Sequence, residues 1–205
     1  MARVDVPPTK SNLRRIRTDL AFAREGFDLL DQKREILVIE IMKYVRRIRG
    51  VEADMMSALD SLYAAYRIAA MEMGSDVIAG KSLSEKEVYG LDLGVSRFIG
   101  ISIPALTITG RGIGIHASLY GTTAMYDRCK AGCAAALARI ADYANIMKSI
   151  LVLSRELKKV QRRVNALEKI FIPRNEEAVK YISDRLEEME REEIFVKKLI
   201  RQREP

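Results

Sequence analysis

Apolar and small residues recur every three or four positions along two long stretches, one towards each end of the chain. The first stripe consists of Leu13, Ile16, Leu20, Ala23, Phe27, Leu30, Leu37, Ile41, Tyr44, Ile48, Val51, Met55, Leu59, Leu62, Tyr66, Ala69 and Met73. The second consists of Ala136, Ile140, Tyr143, Met147, Ile150, Leu153, Leu157, Val160, Val164, Leu167 and Phe171. Arg34 occupies the one position at which the first stripe carries a charge. A period near 3.5 residues indicates the seam of two supercoiled helices, because each apolar side chain must keep facing its partner.

The two stripes take up most of the 205 residues, so we expect residues 1–205 to form a single elongated unit. Its predicted parts are a first long helix over 11–73, a central region over 74–117, and a second long helix over 118–202. Proline lacks a backbone donor and crowds the preceding turn, so a kink or break is expected near Pro173. The predicted fold class is all-α, with a long antiparallel two-helix coiled coil, a short helix and a small β-hairpin.

The central region differs in composition from the two stripes. The polar stretch from Ser82 to Glu87 predicts the cap of one short helix that ends before Gly90. Three alternating isoleucines predict a short strand: Ile99, Ile101 and Ile103. We expect a hairpin within residues 93–116, with Pro104 on an edge because proline cannot donate to a neighbouring strand.

Charge is distributed unevenly between the two ends. The chain carries a net charge of +7. Residues 10–24 hold five basic residues and one acidic residue, whereas residues 184–193 hold six acidic and two basic residues. Opposite charges beside a seam favour pairing of these segments, and an antiparallel pair would join positions whose numbers add up to roughly 195–210. Much of the basic excess is then neutralised within the chain, which disfavours nucleic-acid binding.

The residues that usually carry catalysis or bind cofactors are sparse. Cys129 and Cys133 are accompanied by one histidine, His116, which falls short of the four ligands of a structural zinc site, so two buried thiols are the simpler interpretation. The glycines of residues 110–114 match neither a phosphate loop nor a dinucleotide fingerprint. We therefore expect no catalytic residues, no cofactor and no metal. An independent enzyme is disfavoured, and no apolar run is long enough for a membrane span. The first residues lack the apolar core of a secretory signal, which favours the cytoplasm.

One segment resembles a known family closely. It reads Arg162, Arg163, Val164, Asn165, Ala166, Leu167, Glu168, Lys169, Ile170, Phe171, Ile172, Pro173. This segment resembles the signature of the D subunit of V-type and archaeal A-type ATPases, an Arg-Arg-Val-Asn-Ala-(Ile/Leu)-Glu stretch followed by Ile-Pro. Residues 187–195 are similar to the family's acidic run, residues 8–33 to its opening helix, and residues 100–104, less closely, to its hairpin region. The resemblance covers nearly the whole chain in the family's order.

The resemblance implies a non-catalytic rotor subunit of the central stalk. Its two antiparallel helices would form an axle whose end with both termini projects into the ring of A and B subunits. The F subunit and a socket subunit above the membrane rotor would bind the other end. Such a subunit couples ATP synthesis or hydrolysis to proton or sodium transport, lies at the cytoplasmic face without spanning the membrane, and binds no nucleic acid. The alternative is a basic coiled-coil adaptor that binds nucleic acid or another protein.

The sequence leads to specific predictions for the basic residues near the paired termini and for Arg34. If the resemblance holds, basic residues near the paired termini would contact the inner wall of the ring: Arg14, Arg15, Arg17, Lys197, Lys198 and Arg201. The alternative is that this end is a solvated helix tip. For Arg34, we expect either a partner on the facing helix, Glu168 or Glu176, or a guanidinium that reaches water over its aliphatic stem.

Overall fold

The computed structural model describes residues 7–84, 89–110 and 120–203 of the chain. Within them, the elements in chain order are α1 (Lys10–Met73), α2 (Ser75–Ser84), β1 (Tyr89–Phe98), β2 (Ile101–Gly110), α3 (Ala124–Ala166), a π-helical turn (Leu167–Phe171) and α4 (Ile172–Arg203). The all-α class with one small hairpin is therefore confirmed.

The chain divides into two compact units. The terminal unit comprises Met1–Leu37 and Leu157–Pro205, and the central unit comprises Val38–Glu156. Helix α1 contributes its first part to the terminal unit and the remainder to the central unit.

In the terminal unit, α1 and α4 pack against each other and run in opposite directions. Lys10 pairs with Glu190, and Arg24 pairs with Glu176, so the position on α4 falls as the position on α1 rises. In both ion pairs the two residue numbers add up to 200, which lies inside the predicted range of 195–210. The predicted antiparallel arrangement is confirmed.

The predicted seam is buried or half-buried along most of its length. Leu37, Leu153 and Val164 are fully buried. Three stripe residues are exposed instead: Tyr66, Ile140 and Phe171. The first two lie just beyond half-buried, at 41% and 39% exposure, whereas Phe171 reaches 54%.

The exposure of Phe171 has a local cause. It ends the π-helical turn, in which the Ile172 amide donates to the Leu167 carbonyl five residues earlier rather than four. A π turn holds one residue more than an α turn, so it rotates the following residues around the helix axis. Ile172 takes the half-buried position that an uninterrupted heptad would give to Phe171. The prediction that Phe171 lies in the seam is therefore wrong.

Around Pro173 the chain remains helical on both sides. Ala166 and Ile172, which flank the π turn, both have right-handed helical dihedral angles, and α4 continues to Arg203. Proline cannot supply the amide that would bond to the carbonyl of Lys169, so one rung of an α-helix would be missing here in any case. The helix is therefore irregular near Pro173, as expected, and the irregularity is the wider π turn that ends just before the proline.

Helix α1 ends where the apolar spacing fades. Gly74 has a positive φ of 85°, the left-handed conformation that glycine adopts without a steric cost at a helix end. The short helix α2 then begins at Ser75. The prediction that this helix starts near Ser82 is wrong, because Ser82 lies in its last turn; residues 85–88 lie outside the described part of the chain.

Strands β1 and β2 form an antiparallel hairpin joined by a two-residue turn. Ile99 and Gly100 occupy the turn with φ of 47° and 75°, the pair of positive values that a type I′ turn requires. Ile101 and Ile103 are buried on one face of β2. The prediction that Ile99 belongs to the same strand is wrong, because Ile99 is the first of the two turn residues.

Helix α3 closes part of the open edge of β2. The Leu106 amide donates to Asn145 Oδ1 at 2.6 Å, and Asn145 Nδ2 donates to the Leu106 carbonyl at 2.8 Å. Asn145 therefore satisfies both backbone groups of one residue, as a neighbouring strand would. Ala141 and Ser149, one turn to either side of Asn145 on the same helix face, are buried.

Candidate functional site at the paired ends of α1 and α4

The start of α1 is fixed by a side-chain cap. The Asn12 amide donates to Thr9 Oγ1 at 3.2 Å, and the Leu13 amide donates to the Thr9 carbonyl at 3.0 Å. A threonine before the first helical residue satisfies amides that have no partner within the helix. Asn12 Nδ2 also donates to the Pro7 carbonyl at 2.9 Å. These bonds hold the first turn of α1, and with it the basic residues that follow.

A small apolar cluster joins the two helices at this end. Ile16, Ala178 and Ile182 are buried together, and three half-buried residues pack around them: Leu13, Val179 and Leu186. Burying an isoleucine stabilises a fold by about 1.5–3 kcal/mol, so this cluster rather than the exposed charges carries the pairing energy.

The outermost contact is the ion pair between Lys10 Nζ and Glu190 Oε1, at 2.7 Å. The side-chain hydrogen bond, assisted by the charge attraction, raises the pKa of Lys10 above its ordinary value of 10.5. The same two causes lower the pKa of Glu190 below 4.5. Both partners are exposed to solvent, so the pair defines register and charge pattern more than stability.

Two of the predicted arginines on α1 share a surface groove. Arg14 and Arg17 line it together with Lys10, and its volume is about 420 Å³. Thr18, whose hydroxyl donates to the Arg14 carbonyl at 3.1 Å, also lines it. Arg15 is exposed but does not line this groove. Among the described residues, no carboxylate forms an ion pair with any of these three arginines. They are therefore unpaired cations on the described surface.

The predicted basic residues on α4 lie past Glu190, near the end of the helix. Lys197 pairs with Glu193 of its own helix at 3.6 Å. Lys198 and Arg201 are exposed and have no ion pair with a described residue. The same stretch exposes large apolar side chains, with Phe195 at 64% and Ile200 at 56%. Sequence reasoning identified the cations here but not the exposed apolar residues among them.

The residues of the family-like segment divide between seam and surface. Val164 is fully buried, and Ala166 and Leu167 are half-buried. The Gln161 side chain donates to Asn165 Oδ1 at 2.9 Å on the exposed face. The remaining named members are exposed: Arg162, Arg163, Glu168 and Pro173. The segment therefore contributes Val164 and Leu167 to the seam and contains the π-helical turn.

Arg34 does not bind the facing helix. Its Nη2 lies 2.6 Å from Oδ1 of Asp31, one turn earlier on α1, and its side chain is 31% exposed. No hydrogen bond reaches that Asp31 oxygen, so the attraction is between charges. Glu176 binds Arg24 instead, at 2.6 Å, and Glu168 is exposed. The prediction that Arg34 pairs with Glu168 or Glu176 across the seam is wrong, because its guanidinium pairs with Asp31 on its own helix.

The described surface offers neither a metal centre nor a membrane helix. Across residues 7–84, 89–110 and 120–203, no three histidine, cysteine or acidic side chains converge on a common point that could hold an ion. Of the helices in that same part of the chain, none has both the length and the apolar character needed to cross a bilayer. His116 and residues 111–114 of the glycine-rich loop lie outside the described residues.

Paired antiparallel helices, a small hairpin and an exposed basic end define the class: an all-α coiled-coil protein. The family model for the ATP synthase D subunit matches residues 12–202. The chain belongs to the ATP synthase D subunit family, as the segment at residues 162–173 suggested.

Curated relatives match the chain over nearly its whole length. The V-type ATP synthase D subunit of Thermotoga neapolitana is 30% identical over 200 residues, which cover 98% of each chain. The A-type ATP synthase D subunit of Methanosphaera stadtmanae is 30% identical, with 96% of this chain and 93% of the relative covered. The V-type ATP synthase D subunit of Thermus thermophilus is 35% identical, with 96% and 87% covered. The chain is therefore similar to D subunits of both types.

Proposed function

We propose that the chain is the non-catalytic central-stalk rotor subunit of a V-type or A-type ATPase. It couples ATP synthesis or hydrolysis in the A and B ring to proton or sodium transport through the membrane rotor. The observation that carries this proposal is family membership across residues 12–202 together with the antiparallel helix pair. The chain would lie at the cytoplasmic face of the membrane as a peripheral subunit.

The mechanism needs no catalytic group in this chain. A shaft inside a ring of alternating subunits touches its catalytic interfaces unequally. Unequal contacts shift the conformational populations of those interfaces by unequal free energies. Rotation of the shaft then changes which interface is open, so chemistry in the ring and ion movement in the membrane become linked.

We assign the ring contact to the basic end of the terminal unit. Arg14, Arg15 and Arg17 support this assignment because no described carboxylate neutralises them. On α4, Lys198 and Arg201 add two further cations without a described ion pair, beside exposed Phe195. Cations around an apolar centre suit a partner with acidic residues around an apolar patch, because complementary charge guides association and apolar contact supplies affinity. The F subunit and the socket subunit are the further partners of this proposal.

The experiment is assembly of the purified chain with the A, B and F subunits. The wild-type chain should co-purify with the A and B ring and with the F subunit. Replacing Arg14, Arg15 and Arg17 together by glutamate should weaken ring affinity by at least about tenfold at physiological salt and leave the F subunit bound. A matched control reverses the same amount of charge in the central unit, with Arg46, Arg47 and Arg49 replaced by glutamate, and should retain ring affinity.

Two results separate the function from the site. Failure of the wild-type chain to join the ring or the F subunit in any buffer would reject the rotor function. Unchanged ring affinity of the triple arginine variant at low salt, where charge effects are strongest, would reject the basic end as the contact and favour a solvated helix tip.

A further inference from the structure

Strand β1 exposes apolar side chains along one of its faces. Every residue from 89 to 97 is exposed. Among them, Leu91, Leu93 and Val95 keep 71%, 72% and 66% of their surface in contact with solvent. Successive side chains of a strand point to opposite faces, so these three alternate residues share one face. Contiguous apolar side chains exposed to this degree mark a surface that contacts another protein.

The apolar face continues onto β2. The residues of β2 directly opposite these three are also apolar and are half-buried: Ile108, Leu106 and Pro104. Directly opposite residues of an antiparallel pair point to the same face. Ile101 and Ile103, the two buried residues of the hairpin, point to the other face. The hairpin is therefore apolar on both faces, and only the face of Ile101 and Ile103 contains buried residues.

The backbone of β1 alternates between groups that face β2 and groups that face away from it. The two-residue turn makes Phe98 and Ile101 a hydrogen-bonded pair, and bonded and non-bonded pairs alternate from there. The amides and carbonyls of the three exposed apolar residues of β1 therefore point away from β2. Pro104, which has no amide to donate, lies opposite Val95 in one of the non-bonded pairs.

The edge of β1 that carries these groups is open to solvent. Helix α3 lies along the opposite edge of the hairpin, where Asn145 bonds the amide and the carbonyl of Leu106. Nine consecutive residues of β1 are exposed, which a strand covered along both edges would not be. The open edge of a ten-residue strand presents amides and carbonyls in a row, and such a row is a template for pairing with another strand.

We propose that β1 pairs antiparallel with β1 of a second copy of this chain, centred on Leu93. A two-fold axis at Leu93 places it opposite Leu93 of the second copy, and places Leu91 opposite Val95 of the second copy. The backbone groups of all these residues point away from β2, so they meet as hydrogen-bonded pairs. The exposed apolar residues of the two copies then contact each other within one four-stranded sheet, which is more stable than an isolated hairpin.

Charge selects this register over its neighbours. Centred on Leu93, the pairing sets Asp92 opposite Gly94 of the second copy, so the carboxylates stay apart. Sliding the strands by two residues in one direction brings the two Asp92 side chains directly opposite each other, which is destabilising. Sliding them in the other direction moves Leu91 from an apolar partner to Arg97 of the second copy. This pairing concerns the chain on its own and does not depend on the proposed rotor function.

The test measures self-association of the full chain by sedimentation equilibrium over a range of concentrations. The wild-type chain should form dimers that persist at high salt, because apolar contacts and backbone hydrogen bonds hold them. Leu93→Lys should weaken the dimer by at least about 100-fold, since it removes a leucine from each copy and brings two ammonium groups together at the axis. Circular dichroism checks that the variant remains folded.

Thr107→Lys is the matched control. It adds the same charge to an exposed position of the same hairpin, on β2 and opposite Asp92. Position 107 lies away from the edge of β1, so this variant should dimerise as tightly as the wild-type chain.

Cross-linking tests the register of the pairing. With Cys129 and Cys133 replaced by alanine, Leu93→Cys should form a disulfide between copies. The two Cα atoms of a hydrogen-bonded pair lie about 5.5 Å apart, which is within the reach of a disulfide. Thr107→Cys in the same background should cross-link at least about tenfold more slowly, because the two copies of position 107 do not face each other.

Several results would each overturn the proposal. A chain that stays monomeric at every concentration rejects the second copy as the occupant, and weaker binding of the F subunit to Leu93→Lys would then identify that partner as the one that covers β1. A dimer that dissociates at high salt, or that both lysine variants weaken equally, would be held by another surface. Equal cross-linking rates at positions 93 and 107 would reject the register.

Discussion

Removal of the Asn145 side-chain amide should loosen the edge of β2 without unfolding the helices. The hairpin register pairs Gly94 with Ala105 and Asp92 with Thr107 next to the Leu93–Leu106 pair. Since hydrogen-bonded and non-bonded pairs alternate from the closing pair of a two-residue turn, the amide of Leu106 points away from β1. Asn145 is therefore its described partner, at 2.6 Å.

The magnitude follows from two hydrogen bonds in a partly buried setting. Asn145→Leu keeps the approximate size and removes both the bond from the Leu106 amide and the bond to its carbonyl. Each intramolecular bond contributes about 0.5–1.5 kcal/mol net, so the loss is about 1–3 kcal/mol. In hydrogen exchange this corresponds to an acceleration of about 5- to 150-fold at the Leu106 amide.

The assay is amide exchange resolved by residue. Ala105 and Thr107 donate to β1 and serve as internal controls, which should accelerate far less than Leu106. Asn145→Asp is the matched variant, since its carboxylate accepts from the amide but repels the carbonyl, so Leu106 should exchange at an intermediate rate. An unchanged Leu106 rate in Asn145→Leu, or equal acceleration at all three amides, would refute the reasoning.

Three further changes have defined outcomes. Ile99→Asn should stabilise the hairpin by about 1 kcal/mol, because a left-handed conformation costs a β-branched residue more than asparagine; a lower melting temperature would contradict this. Deletion of Ile170 should convert the π turn to an α turn and preserve the melting temperature. Deletion of Lys180 should lower the melting temperature, because it rotates the buried residues on one side of the deletion away from α1. The pKa of Glu190, measured by NMR, should lie below 4.5 in the wild-type chain and rise to about 4.5 in Lys10→Met. The stability that the ion pair contributes is therefore present above pH 4.5 and is lost as the pH falls through the lowered pKa of Glu190. An unchanged pKa of Glu190 in Lys10→Met would exclude the ion pair in solution.

The long helices and their antiparallel pairing could be predicted from the sequence because burial repeats along a helix with a fixed period. Leu37, Leu153 and Val164 are buried where the period requires them. The opposite charges of residues 10–24 and 184–193 gave the direction of the pair. The basic residues of the candidate site were visible as unbalanced charge, although their roles stay predictions.

The errors occur where a local choice competes with the period. Ile99 continues the alternation of its neighbours, but a two-residue turn needs two positive φ values, and the following Gly100 determines where that turn falls. For Arg34, the predicted partners lie on the facing helix, but the carboxylate of Asp31 is only three residues away on the same helix. Both the position of the turn and the partner of Arg34 are decided by residues within three positions along the chain, and the spacing of apolar residues carries no information about either.

The segment that resembles the family most specifically is also the segment at which the seam changes phase. Val164 is the last fully buried position before the π turn, and Ala178 and Ile182 resume the seam beyond it. A heptad repeat extended through this stretch places Phe171 inside, because the period cannot represent one additional residue. Resemblance and periodicity therefore carry different information: the repeat predicts which arms pair, and the segment from Arg162 to Pro173 marks where the pairing must be adjusted. A continuous seam needs both, since without the adjustment either the residues before the turn or those after it would face away from α1.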